Sequence, residues 1–158
     1  MVKMVKKPAR DKLINSVKTL TATVSKVGYF ADQGMHPEAK MTYPELMYLQ
    51  EVKGIRSRSG KVYRRVFELT MMIEGKRLRN NVMVALKRVI VSGGDTNSVK
   101  EMFGKQASEA IKNNFGNTSL LPSNAPATIK RKGFNAPLIE TSSLKSKLTH
   151  RITKKGSK

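Results

Sequence analysis

The 158 residues carry 31 Lys and Arg against 11 Asp and Glu, a net charge of +20. A chain of this length builds one modest core, and such a charge points toward polyanionic partners: nucleic acid, an acidic protein surface or a membrane face. The absence of Cys excludes disulfides, thiolate metal sites and Cys nucleophiles, and no apolar run nears the roughly 20 residues that span a bilayer.

Residues 1–10 read as a mobile basic leader, and with no apolar stretch behind it this is no secretory signal. From Asp11 onward, Leu13, Ile14, Val17 and Leu20 recur at helical spacing. Thr23 to Phe30, rich in Thr, Val and aromatics, predicts a strand in which Gly28 marks a bulge or close backbone approach. Ala31 to Lys40 is loop by composition. Thr42 then stands three residues before Glu45, a capping box with Pro44 in the first turn. The helix it opens carries Leu46, Met47 and Leu49 toward Glu51.

The stretch from Lys53 to Arg65 holds six cations, Lys53, Arg56, Arg58, Lys61, Arg64 and Arg65, and no acid. Gly54, Ser57, Ser59 and Gly60 make it an exposed loop or the tip of a hairpin. Its chemistry suits a phosphate backbone or an acidic partner. With Tyr63 its one aromatic, it lacks interleaving of the kind used to stack bases, so sequence reading is not indicated.

Apolar positions then predict a helix over Arg77 to Ile90, with Gly75 weakening the turn before it. Ser92 to Asp95 ends that helix, and Asp95, Thr96 or Ser98 caps the next. There Val99, Met102, Phe103, Ala107, Ala110, Ile111 and Phe115 form the clearest amphipathic face, closed by Gly116. Beyond it, Ser123, Asn124 and Thr128 sit at cap positions around Pro126, and Thr141 caps a turn that holds Leu144 inward. Alternation of Leu148, His150 and Ile152 predicts an edge-like strand over Lys147 to Thr153, and residues 154–158 form a basic tail.

The expectation is a single α+β domain over residues 11–153, with extended loops and basic termini. A small antiparallel sheet of Thr23–Phe30 and Lys147–Thr153 packs against the two helices Arg77–Ile90 and Val99–Phe115. Phe103, Ala107, Ala110 and Ile111 are expected to face Leu138, Leu144, Leu148 and Ile152. His36 and His150 stand far apart without ligand spacing, so no metal site is expected. Glu45, Glu51 and Glu140 are isolated carboxylates that read as caps and surface groups. No nucleophile elbow, P-loop or dinucleotide fingerprint appears, so neither catalysis nor a cofactor is expected.

The order of residues near the C-terminus resembles the Mu-like virion-morphogenesis and tail-completion proteins of tailed phages. That family runs L-S-P-x-T-I-x-x-K-G and then P-L-I-D-T-G-x-L-x-x-S-I. The residues in register are Pro126, Thr128, Ile129, Lys132 and Gly133, followed by Pro137, Leu138, Ile139, Thr141, Leu144 and Leu148. Leu121 stands three residues and Ser146 one residue ahead of the family's Leu and Ser. Glu140 stands where the family has Asp, and Ser142 where it has Gly, the residue that tolerates positive φ. The N-terminal half is similar as well. The family's V-G-x-x-x-x-x-x-H-P loop and T-x-x-E-x-A-x-x-x-E-F-G helix are matched by Val27, Gly28, His36, Pro37, Thr42, Glu45, Glu51 and Gly54, with one residue more between Gly28 and His36 than the family has. Val52-Lys53 replaces the aromatic and shifts the Gly by one, while Arg65 and Phe67 resemble an R-P-F element with Val66 in place of Pro.

The resemblance covers roughly Thr23 to Ile152. It implies a structural role in the neck or tail-completion region of a phage particle, as a hexameric ring that joins head to tail. The implied setting is the virion, assembled in the bacterial host cytoplasm. The implied partners are identical subunits and neighbouring connector, neck and tail proteins, with non-specific contact to packaged DNA and none to membrane. The other reading, which rests on charge alone, is a basic nucleic-acid-binding accessory protein.

Overall fold

A computed structural model describes residues 7–57 and 60–156. It is α+β, about 58% helical, with a small two-stranded antiparallel sheet packed against two long helices. The described chain divides into two compact units, one built from residues up to Val27, Lys76–Ala107 and from His150 onward, the other from Gly28–Gly75 and Ser108–Thr149.

The first unit begins with helix α1, Lys7–Ala22, which leads directly into strand β1, Thr23–Gly28. Strand β1 pairs with β4, Thr149–Lys154. The remaining pieces are the later part of α3, Val66–Ser92, and the earlier part of α4, Asn97–Asn114. Small and polar side chains tie them together. Ser16, only 4% exposed, donates through Oγ to the Gly94 carbonyl at 2.9 Å, where the chain turns between α3 and α4. The buried Thr96 hydroxyl donates back to the Ser16 carbonyl at 3.4 Å. Lys100 on α4 donates to the Thr19 carbonyl at 2.9 Å and to the Thr23 hydroxyl. The sheet rests on α4 at Gly104, whose missing side chain leaves room for the His150 ring. His150 Nε2 meets Glu101 Oε2 at 2.8 Å on the same helix.

The second unit contains most of the large buried apolar side chains. Helix α2, Tyr43–Tyr48, runs into a π-helical stretch, Leu49–Lys53, and then into a hairpin of β2, Ile55–Ser57, and β3, Gly60–Val62. The register pairs Ile55 with Val62 and Arg56 with Lys61. The start of α3 and the end of α4 follow, then α5, Pro126–Lys132, and α6, Ser143–Lys147. Tyr43, Met47, Val66, Ile111, Phe115, Leu121, Leu144 and Leu148 are buried. Each side chain of this size contributes roughly 1.5–3 kcal/mol on burial.

Several expectations are met closely. Thr42 caps α2 through a full capping box, with its hydroxyl accepting from Glu45 N and the Glu45 carboxylate accepting from Thr42 N at 2.9 Å. The basic stretch is a hairpin. Ala107, Ala110, Ile111, Leu144 and Leu148 are buried.

Other expectations are corrected. Helix α1 starts at Lys7 rather than Asp11, so part of the supposed leader is helical; residues 1–6 lie outside the described ones. Helix α3 starts at Val66 rather than Arg77 and passes unbroken through Gly75, whose cost of about 1 kcal/mol against Ala is small beside the packing of a 27-residue helix. Strand β4 begins at Thr149, because Lys147 closes α6. The residue capping α5 is Ala125 and that capping α6 is Ser142, neither with a side-chain cap bond, in place of the expected Ser, Asn and Thr oxygens. Phe103, Leu138 and Ile152 are half-buried rather than fully enclosed. Of the basic tail, Lys154 belongs to β4, and residues 157–158 lie outside the described ones.

Candidate functional site

A cleft of about 1220 Å³ opens within the second unit. One wall is the hairpin, with Ile55, Arg56, Ser57 and Val62; another is Ser123–Thr128 at the start of α5; a third is the loop Leu138–Ser143. His36, Leu46, Gln50 and Leu144 also line it. The basic hairpin and the Pro137–Leu144 segment, which stand about 80 residues apart, thus face one opening.

The loop wall is conformationally costly. Leu138 has φ 64 and Ser142 φ 59, both in the left-handed region that disfavours residues with a side chain. A ring of polar contacts holds it there. Lys132 at the end of α5 donates to the carbonyls of Ala136, at 3.1 Å, and Ile139. Gly116 N–H, at the end of α4, donates to the Pro137 carbonyl at 2.9 Å. Gly116 itself has φ 81, and the Ile139 side chain lies where a Cβ would project. Arg131 pairs with Glu140, whose carboxyl is held below its ordinary range chiefly by that hydrogen bond. Partial burial pulls the Lys132 ammonium down in pKa.

The N-terminal block locks onto this segment. Tyr29 donates its hydroxyl to the Leu144 carbonyl at 2.6 Å, and burial pushes that phenol far above its ordinary pKa. The Tyr43 and Ser143 hydroxyls meet at 2.6 Å, and Gln33 Nε2 reaches the Lys147 carbonyl at 2.6 Å. His36 Nδ1 accepts from the backbone N–H groups of Glu38 and Ala39, each at 3.3 Å, and its ring stands edge-on to Tyr43. His36 therefore closes its own loop. Among the described residues no group of three or more His, Asp or Glu is placed to hold a metal ion, and no helix is long and apolar enough to cross a membrane.

The six cations of the hairpin region divide by task. Arg64 is half-buried: it donates to Gln50 Oε1 at 3.3 Å, to Asn124 Oδ1 at 3.2 Å and to the Pro122 carbonyl at 3.4 Å, and burial lowers its pKa. It fastens the hairpin base to the α5 wall. Arg65 pairs with Glu68 at 3.2 Å and lies over the Tyr63 ring, 5.1 Å from its centroid. Lys53, Arg56 and Lys61 are exposed, Lys53 within 5.9 Å of the Tyr48 ring centroid. Arg58 lies outside the described residues.

In the loop segment, Pro137 and Leu144 are buried supports, Leu138, Ile139, Glu140 and Thr141 line the cleft, and Glu140 is engaged by Arg131. Glu51 has a task of its own: its carboxylate accepts from Phe67 N at 2.8 Å, in the first turn of α3. Burial raises its pKa, opposed by the N–H groups that it caps. Glu51, a cap or a surface group by the sequence, is thus a cap, whereas the sequence does not mark Asn124 as a cleft residue. Asn124 is 8% exposed; its Oδ1 accepts from Arg64, while its buried Nδ2 has no acceptor among the described residues. The only signal in the sequence was a polar residue between two prolines.

Comparison with protein-family models, with curated proteins and with solved structures finds no match for this chain.

Proposed function

We propose that this chain is a structural, non-catalytic subunit of a tailed-phage particle, one member of a ring in the neck or tail-completion region that joins head and tail. The observation that carries this reading is the interlock of the two blocks in which the resemblance is densest. Residues 29–43 and 143–147 are joined by three hydrogen bonds of 2.6 Å, each spanning 100 or more residues of chain. A resemblance made of chance fragments gives no reason for the fragments to build one framework. Ser142 supports it separately: it adopts φ 59 at the position where the family carries Gly.

The ring role also accounts for apolar side chains left outside. On α1, Leu13, Ile14 and Val17 are 42%, 43% and 44% exposed, and on α3 Met83, Val84 and Val91 are at least half exposed. Such faces suit contact with identical neighbours, as do the outer edges of the two-stranded sheets. The exposed Lys53, Arg56 and Lys61 fit weak, sequence-blind attraction to DNA passing through a ring. The net charge of +20 favours a second reading, a nucleic-acid-binding accessory protein outside the particle.

Gene disruption followed by electron microscopy separates the two. The expected result is filled heads and separate tails that join when the chain is supplied in trans, with the chain present in purified particles. Normal particles without the chain overturn the structural reading, and its recovery on intracellular DNA instead supports the accessory one.

A further inference from the structure

We infer that the cleft of the second unit is a docking site for an extended acidic segment of a partner protein. At about 1220 Å³ it exceeds the roughly 300–1,000 Å³ typical of small-molecule pockets, so a stretch of peptide suits it better than a metabolite. Its lining mixes apolar side chains, Leu46, Ile55, Val62, Leu138 and Leu144, with four cations, Arg56, Arg64, Arg131 and Lys132, against two carboxylates, Glu38 and Glu140. Asn124 supplies the specific feature. Its Oδ1 is fixed by Arg64, which leaves the buried Nδ2 as a donor with no acceptor among the described residues. A buried donor without a partner is unfavourable by itself; Nδ2 is covered in the free chain, so a peptide carbonyl or carboxylate satisfies it once a small side-chain rotation uncovers it. Arg131 is already poised toward carboxylate, because Glu140 occupies it within the chain. An incoming acid shares or replaces that contact.

The alternatives fit less well. A nucleic-acid backbone gains nothing from the apolar lining. A second copy of this chain, or the chain's own basic ends, brings further positive charge to a cationic cleft. The chemistry of the cleft stands independently of the neck assignment.

The test uses the full chain and three fluorescent probes at one salt concentration: an extended peptide alternating Glu with Leu, its Lys-for-Glu counterpart, and a short DNA duplex. Anisotropy is expected to show binding of the acidic peptide and none of the basic one. Asn124→Asp keeps the oxygen that Arg64 holds but removes the donor and adds a charge. It is therefore read against Ser123→Asp, which adds the same charge to the same wall and leaves the donor. Asn124→Asp is expected to weaken binding of the acidic peptide about tenfold more, the scale of one charge-assisted hydrogen bond. Arg131→Gln is expected to weaken it similarly, while Glu140→Gln, which frees Arg131, is expected to tighten it. Lys130→Gln, on the same helix but outside the cleft lining, is expected to change binding less than twofold. Thermal melts confirm that each variant is folded. Equal losses in Arg131→Gln and Lys130→Gln, or equal losses in Asn124→Asp and Ser123→Asp, reduce the binding to general charge and overturn the proposal. So does binding of DNA alone with the same mutational pattern, or self-association that Asn124→Asp disperses, which names a second copy as the occupant.

Discussion

The two units are built on different economies of apolar surface. Of the large and small apolar residues buried among the described positions, Leu78, Val99 and Ala107 belong to the first unit, while Tyr43, Met47, Val66, Ala110, Ile111, Phe115, Leu121, Leu144 and Leu148 belong to the second. Both units leave large apolar side chains exposed, Leu13, Ile14, Val17, Met83, Val84 and Val91 in the first and Met35, Tyr48, Val52, Met71, Met72, Ile73 and Phe134 in the second. The first, however, has few buried ones and is tied by hydroxyls and one lysine. The second is cross-braced by long-range polar contacts and opens a cleft. The contrast teaches a division of labour. A unit with a filled core holds a shaped site, while one with a thin core leans on individual polar contacts.

The largest expected effect tests that contrast directly. Leu148 is fully buried, so Leu148→Ala is expected to cost about 2–5 kcal/mol, read as a lower urea midpoint. Leu13→Ser and Val17→Ser, on the half-exposed α1 face, are expected to cost less, about 1 kcal/mol each, and under the proposed ring to reduce incorporation into particles. Equal destabilisation in both units removes the distinction.

Next in size is Gly104→Ala. An added methyl in mid-helix ordinarily stabilises by up to about 1 kcal/mol. Here it runs into the His150 ring, which Glu101 holds in place. Overpacking of about 1–3 kcal/mol is expected to win, giving a net loss in thermal melts. The pair Gly104→Ala/His150→Ala is expected to recover most of it, which shows that the sheet of the first unit rests on this contact.

Much of the fold was open to reading because it is local. The period of α4, the Thr42–Glu45 box and the Gly116 terminator are set by residues within a few positions of each other. What escaped is non-local. Arg64 reads as one more cation until Gln50 and Asn124, 14 and 60 residues away, close around it. The cleft has three walls from three separated segments, so no single window of sequence contains it. The start of α3 escaped for a different reason: Gly75 argues against a helix locally, and the cap that compensates is Glu51, outside the helix altogether.

A smaller effect is expected at the entrance to α2. Thr42→Ala removes the capping hydroxyl and is expected to cost about 1 kcal/mol in the second unit. The backbone and hydroxyl of Thr42 hold the Glu45 carboxyl below its ordinary 4.5. A depressed folded pKa means that the carboxylate's contribution is present above the unfolded value and lost as the pH falls through the folded one. The urea midpoint of the parent is therefore expected to drop more steeply than that of Thr42→Ala as the pH is lowered below 4.5. Parallel curves assign the depression to the residue-42 backbone N–H, which the variant keeps, rather than to the hydroxyl.

The smallest effect has the opposite sign and bears on the cleft wall. Ser142 sits at φ 59, ψ 2, where a β-carbon crowds the following carbonyl at a cost of roughly 1 kcal/mol. Glycine removes that strain but enlarges the freedom of the unfolded chain, which offsets part of the gain. Ser142 makes no side-chain cap bond to α6, so no capping interaction is lost with its hydroxyl. Ser142→Gly is therefore expected to raise stability by a few tenths of a kcal/mol, up to about 1. Ser142→Ala keeps the β-carbon at the same φ and is expected to show no gain, which isolates backbone conformation as the cause. If Gly and Ala behave alike, the left-handed turn at this wall is not under strain. Its geometry then follows from the Tyr43–Ser143 and Tyr29–Leu144 contacts beside it, and breaking those bonds rather than relaxing φ becomes the way to move the wall.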